Sequence, residues 1–451
     1  MKCQYTTAWV CKRAVLAVAM VLAPTLAIAQ TDPGPRGGAA GAGARVAGLT
    51  VKESKFFDAG LDEFQETQSV TGSIAGTEEG LGPRFNMNSC SSCHAHPAVG
   101  GTSPANNPQV LSNPADPSQI ALVTDTVHIL SAHGPVREVR FSTDGGVHQL
   151  FTIAGMTGAP VGCTISQPDF VGAASNGLLR FRIPTPAFGL GLIEAIEDAT
   201  ILLNVGTVKP FGILGTANRN GNDGTVTRFG WKAQNKSLAI FAGEAYNVEQ
   251  GVTNELFPDE RGEGGTPDPA ICRQVVTAPQ DLVQYELTNP QKLIDNVNAF
   301  ANFMRFLAPP VQAVNGYSTA TTTVSASDIA AGETLFNTTG CVVCHTKSMP
   351  TGNHSTAALR NKTANLFSDL LLHDIGTGDG ISQGNATGDQ FRTAPLWGLG
   401  QRLFFMHDGR SENLIDAIGQ HGGPEGAAVT TNFNGLSSSD KQKLLNFLRS
   451  L

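Results

Sequence analysis

Two stretches of the chain repeat one arrangement of reactive residues: Cys90-Ser91-Ser92-Cys93-His94 and Cys341-Val342-Val343-Cys344-His345. In Cys-x-x-Cys-His the thiols can add to the two vinyl groups of a haem, while the adjacent imidazole is placed under the iron as an axial ligand. A thioredoxin-like redox pair would lack the adjacent histidine and would sit in a βαβ pattern that is missing here. Half a zinc site would need partner ligands at close spacing. The repeated motif therefore points to two covalently attached c-type haems, with His94 and His345 as iron ligands.

The elements that must carry these motifs can be read from periodicity. Before the first motif, Phe57, Gly60, Leu61 and Phe64 fall on one helical face of residues 54–64. Before the second, Asp328 to Phe336 reads as a helix with Ser327 as its cap. Each region also closes on a helix, Val297 to Leu307 in the first and Asp440 to Leu451 in the second. The chain thus reads as a mainly α protein of two cytochrome c-like domains. The N-terminal one, residues 50–310, carries a large insert with short β-type runs at Val136 to Phe141 and Val147 to Ile153. Residues 311–326, rich in Thr, Ser and Ala, read as a linker, and residues 327–451 as the C-terminal domain.

At 451 residues, with 41% hydrophobic and 15% charged, the chain can bury a large core. Residues 1–29 read as a secretory signal: Lys2, Lys12 and Arg13 precede an apolar run from Ala14 to Leu26, and Ala27-Ile28-Ala29 is a small-x-small cleavage site. That run is too short for a membrane anchor and is broken by Pro24. Residues 30–49, rich in Gly, Ala and Pro, read as a flexible leader. The net charge of −8 becomes more negative once the signal is removed, which argues against nucleic acid as a partner. Export would leave Cys163 and Cys272 outside the motifs in an oxidising compartment, which favours a bridge over two buried thiols.

Several further segments, taken with the two motifs, resemble the di-haem oxidoreductases, a family related to the bacterial di-haem cytochrome c peroxidases and labelled peroxidases or thiol oxidoreductases. They are Gly82-Pro83-Arg84-Phe85-Asn86, Arg182-Ile183-Pro184-Thr185-Pro186, Phe391-Arg392-Thr393-Ala394-Pro395-Leu396-Trp397 and His407-Asp408-Gly409-Arg410. In the peroxidases the C-terminal haem usually takes a Met as its distal ligand, fourteen residues after the histidine of the His-Asp-Gly segment. Here that position is His421. Leu414, Ile418 and His421 also fall at i, i+4 and i+7, on the buried face of a short helix capped near Ser411, a pattern that fits a core histidine equally well. A second imidazole in place of Met implies a lower potential than a typical peroxidase's.

The distal side of the His94 haem is less determined. Many of the peroxidases place a histidine shortly before the Arg-x-x-Pro element, but the matching run, Val171 to Gly177, contains none. Either the site is open, or His96, His128, His133 or His148 closes it. The resemblance implies Glu249 as the acid-base group that moves a proton between peroxide oxygens, with Glu255, Glu194 and Glu138 as rivals, and Trp231 as an aid to transfer between haems. His373 and Asp374 would serve haem propionates or fold their loop. The peroxidases also bind calcium between domains, but the residues around Ile183 and Arg402 do not match, so no calcium is assigned.

The leading expectation is an exported, periplasmic-type enzyme of peroxidase kind. A small cytochrome c or cupredoxin would feed electrons to the His345/His421 haem, and these would pass to the His94 haem to reduce peroxide or a related oxidant. The alternatives are a non-catalytic di-haem electron carrier, with both irons closed, and an oxidase of a partner protein or thiol.

Overall fold

The computed structural model describes residues 30–273 and 295–451. The expected signal, residues 1–29 with Cys3 and Cys11, lies outside the described residues. Helix occupies 31% and strand 12% of the described residues, so the fold is mixed, with helices dominant and strands short, rather than mainly α. No described helix is long and apolar enough to cross a membrane.

Helix α1 (Val51–Gln65) starts in a capping box, in which the Thr50 hydroxyl accepts from the Glu53 N–H and the Glu53 carboxylate accepts from the Thr50 N–H. It crosses the helix closing the same region, here α3 (Asn296–Phe306). The crossing is close because residue 60 is glycine: a Cβ there would lie 2.2 Å from the Ala299 carbonyl oxygen. Around it, Phe64 meets Phe300 and Phe303 with ring centres 5.0 and 4.6 Å apart. Between these two, α2 (Leu238–Ala245) packs on α3 and runs directly into a π-helical turn, Tyr246–Gln250.

The second region repeats the device. Helix α4 (Ala326–Thr339) crosses α6 (Ser438–Leu448) at Gly332, where a Cβ would lie 2.0 Å from the Lys443 carbonyl oxygen, and Phe336 meets Phe447 at 5.3 Å. Ser325, not Ser327, caps α4, because its hydroxyl reaches the Asp328 N–H. Gly340, in the left-handed region at φ +106°, ends α4 one residue before Cys341. The short helix near His421 is α5 (Leu414–Gly419), and its cap is Asn413 rather than Ser411: the Asn413 side chain accepts from Asp416 N–H.

In the insert, β1 (Glu138–Phe141) pairs antiparallel with β2 (Leu179–Arg182), setting Glu138 opposite Arg182 and Arg140 opposite Arg180. Of the run 147–153, only Phe151–Thr152 forms a strand, paired with Arg84–Phe85. Cys163 and Cys272 are joined in a disulfide. Residues 311–326, expected as a plain linker, contain a small hairpin of β3 (Gly316–Ser318) and β4 (Thr323–Ser325).

Residues 30–49 are a tied strap rather than a flexible leader. Val46 N–H donates to Phe306 O, Arg36 N–H to Gly400 O and Gly37 N–H to Ser318 O, and Asp32 forms a buried ion pair with Arg449 at 2.6 Å. Backbone bonds to both regions hold a composition that, read locally, has no apolar face of its own.

Candidate functional site

The two Cys-x-x-Cys-His motifs open onto two separate cavities, one lined by Cys90, Cys93 and His94 and the other by Cys341, Cys344 and His345. Among the described residues the only free cysteines are these four.

In the first cavity a short helical turn, Cys90–Cys93, delivers His94. Its Nδ1 lies 3.0 Å from Gly101 O, and the edge of Phe64 stands 5.8 Å from its ring. Burial lowers its pKa to about 4 against the backbone hydrogen bonds at Gly101 and Thr185, so the ring is neutral, with Nδ1–H donated to the Gly101 carbonyl. The second cavity repeats this arrangement. His345 Nδ1 lies 2.9 Å from Phe367 O, Phe336 stands 6.4 Å away, and burial lowers the pKa to about 4.

The remaining walls differ. The second cavity is also lined by His421, whose Nδ1 lies 2.9 Å from Ala417 O and whose pKa is lowered by burial. His421 follows α5 directly after its cap residue Gln420. The same cavity is lined by Met406, His373 and His407. His373 sits between Asp369 at 3.1 Å and Glu425 at 3.3 Å, which, against the opposing effect of burial, hold it as an imidazolium with a pKa of about 12. Asp374 instead folds its loop, accepting from Gly376 N–H.

No histidine besides His94 is among the residues lining the first cavity. His96 bonds to Gln401 O at 2.6 Å, His128 and His133 are exposed, and His148 lies between Asp144 and Glu263, stacked on Phe141. What lines it is Glu249, with Glu138, Arg140 and Arg182. Glu249 comes from the π-helical turn, a rare distortion frequent at functional sites. Burial, then the neighbouring Glu138 charge, raises its pKa to about 8, while Asn86 Nδ2 donates to its Oε2 at 3.0 Å. Arg140 in turn binds Glu138. Glu138 lines the same cavity and is hydrogen-bonded to Glu249, so the two carboxyl groups face one another there. Glu194 is committed to Arg305 at 2.7 Å and Glu255 is exposed.

Trp231 lines both cavities. Its indole N–H donates to Ile183 O at 2.9 Å, and its ring stands edge-on to His407, 6.4 Å away. His407 is stacked on Phe391 at 3.9 Å, and the Lys232 ammonium lies 4.1 Å over that ring. No pattern along the chain marks this stack, since Lys232, Phe391 and His407 come from separate segments.

The family model described as "Di-haem oxidoreductase, putative peroxidase" matches residues 173–451, which leaves the first motif outside the matched span. No curated protein matches. Among solved structures, the chain is similar to hydrazine synthase of Kuenenia stuttgartiensis, at 18% identity over 36% of this chain, with a TM-score of 0.24; it spans 56% of that chain. It is also similar to the di-haem peroxidase BthA of Burkholderia thailandensis, at 14% identity over 59% of this chain and 86% of that one, with a TM-score of 0.27.

Proposed function

This chain belongs to the di-haem oxidoreductase family, and from that premise we propose that it is an exported peroxidase that receives electrons at the His345/His421 site and reduces a peroxide at the His94 site. The family is one of di-haem, peroxidase-like enzymes, so two haems belong with the two cavities. The residues present fit them: each cavity pairs two free thiols with a buried, neutral imidazole held through Nδ1 by a carbonyl. We assign Cys90 and Cys93 to one covalent attachment and Cys341 and Cys344 to the other, with His94, His345 and His421 as iron ligands. Bound haem supplies one-electron iron chemistry and, where a coordination position is free, a place for peroxide to bind.

The observation that carries the reading is the unequal furnishing of the two cavities. The second is lined by both His345 and His421, two imidazoles that could hold one iron between them, which suits a closed relay. The first is lined by no histidine besides His94, and by Glu249 and Glu138 instead. Reducing a peroxide to water takes up two electrons and two protons. Glu249, with a pKa of about 8, carries a proton at neutral pH and can give it to the departing oxygen, a role worth roughly 10²–10⁴-fold in rate. Asn86 holds the carboxyl in place, and the Arg140–Glu138 pair sets its charge environment. Trp231, on both walls, is assigned the passage of electrons between sites. The electron donor is a small cytochrome c or cupredoxin, in keeping with an exported protein.

Purified protein loaded with haem should oxidise a reduced small cytochrome or cupredoxin only when peroxide is added, with two donor electrons consumed per peroxide. Donor oxidation that ignores peroxide, or none at all from a protein carrying both haems, would overturn the reading.

A further inference from the structure

We propose that Asp32, in the N-terminal strap, is a positioning residue for His421, and that the strap closes the second cavity by locking the helix that presents this ligand. The inference rests on the assignment of His421 as an iron ligand. Both oxygens of Asp32 are fully used: Oδ1 accepts from Arg449 Nε at 2.7 Å and Gly34 N–H at 3.0 Å, and Oδ2 accepts from Arg449 Nη2 at 2.6 Å and Leu414 N–H at 2.7 Å. The pairing with Arg449 is a two-pronged fork, the geometry in which arginine binds a carboxylate most rigidly, and both side chains are buried.

Each partner leads to the wall of the second cavity. Leu414 is the first residue of α5, its side chain lines the cavity, and one turn further Ala417 O holds His421 Nδ1. Arg449 follows α6, donates from Nη1 to Arg402 O at 2.9 Å, and lies 5.1 Å over the ring of Phe405; Arg402 and Phe405 line the same cavity. Phe405 N–H in turn bonds Ser411 O at 2.8 Å, just ahead of α5. Asp32 therefore joins the start of the ligand helix, the last turn of α6 and the 402–405 loop at one point. The partners of Asp32 are Gly34, Leu414 and Arg449, none of which lines the first cavity. Asp32 thus acts on one site of the two, although other residues of the strap bond to both regions.

The test is carbon monoxide binding to the reduced, haem-loaded protein, since it reads whether the ligand trans to His345 stays on. Three variants are compared with the wild type: Asp32→Asn, the double change Asp32→Ala with Arg449→Met, which leaves no buried charge unpaired, and His421→Ala. The proposal predicts that the wild type binds rapidly at the first site and at least tenfold more slowly at the second, that His421→Ala binds rapidly at both, and that the Asp32 variants bind at the second site at least tenfold faster than the wild type does there, with first-site spectra unchanged. If His421→Ala leaves second-site binding as in the wild type, the ligand assignment fails. If His421→Ala opens the site but the folded Asp32 variants do not, the positioning role fails while the assignment stands. If both Asp32 variants lose haem spectra at both sites together, Asp32 is a general structural clamp and the proposal is overturned.

Discussion

The two haem regions are built alike up to the proximal histidine and differ beyond it. In both, a glycine lets two helices cross at near contact, Gly60 on α3 and Gly332 on α6. Four residues on, a phenylalanine, Phe64 or Phe336, turns toward the ring of His94 or His345, and each ring is held through Nδ1 by a carbonyl. The frame for an iron ligand is thus the same twice over. The difference lies in what the rest of the chain brings to each cavity: an insert strand and a π-turn bring Glu138 and Glu249 to the first, and a short helix brings His421 to the second. On the proposed function, reactivity is set by the second wall of each cavity and not by the Cys-x-x-Cys-His motif.

The comparison can be broken most sharply at Glu249. Replacing it with Gln, which keeps shape and removes the titrating proton, should lower peroxide turnover by roughly 10²–10⁴-fold in stopped-flow assays and leave the spectrum of the second site unchanged. The wild-type rate should fall as pH rises through about 8, because the proton-donating form of Glu249 is lost there. The Gln variant should be flat across that range.

Changing His421 to Met should raise the potential of the second site in a redox titration. The rise should be a visible part of the roughly 0.8 V over which axial ligands set haem potentials. The first site should not move.

Gly60→Ala and Gly332→Ala test the shared frame. Each new Cβ would meet a backbone oxygen at 2.2 or 2.0 Å, so each variant should lose about 1–3 kcal/mol of stability, seen in thermal melts. Similar losses at the two positions would support one frame used twice; a loss at only one would separate them. The smallest expected effect is at Trp231. Its change to Phe keeps an aromatic ring but removes the N–H held by Ile183 O, and should slow transfer between sites by about fivefold, about 1 kcal/mol, in flash reduction experiments.

What could be read from the sequence follows how local each signal is. The attachment motifs and the helices around them depend on spacings of a few residues, and α1, α3, α4 and α6 form where periodicity put them. Glu249 and Trp231 were reached only through resemblance, because nothing in Tyr246–Gln250 marks a π-turn that aims a carboxylate inward. Its partnership with Glu138 joins residues from distant parts of the chain and has no pattern along it. The strap was misread for the same reason. Asp32 and Arg449 lie 417 residues apart, and a run of Gly, Ala and Pro shows no apolar face when its order comes from backbone bonds to other segments. Removing Arg449's partner would leave a buried charge alone, at a cost of about 3–5 kcal/mol, a size that local composition cannot signal.

The central claim is that the first site is open and the second closed. Electron paramagnetic resonance of the oxidised, fully haem-loaded protein tests it directly, with His94→Ala and His421→Ala used to assign the signals. The account predicts one high-spin iron, lost on changing His94, and one low-spin iron with two imidazoles, altered on changing His421. Two low-spin irons that both stay closed when the protein is half-reduced would contradict it.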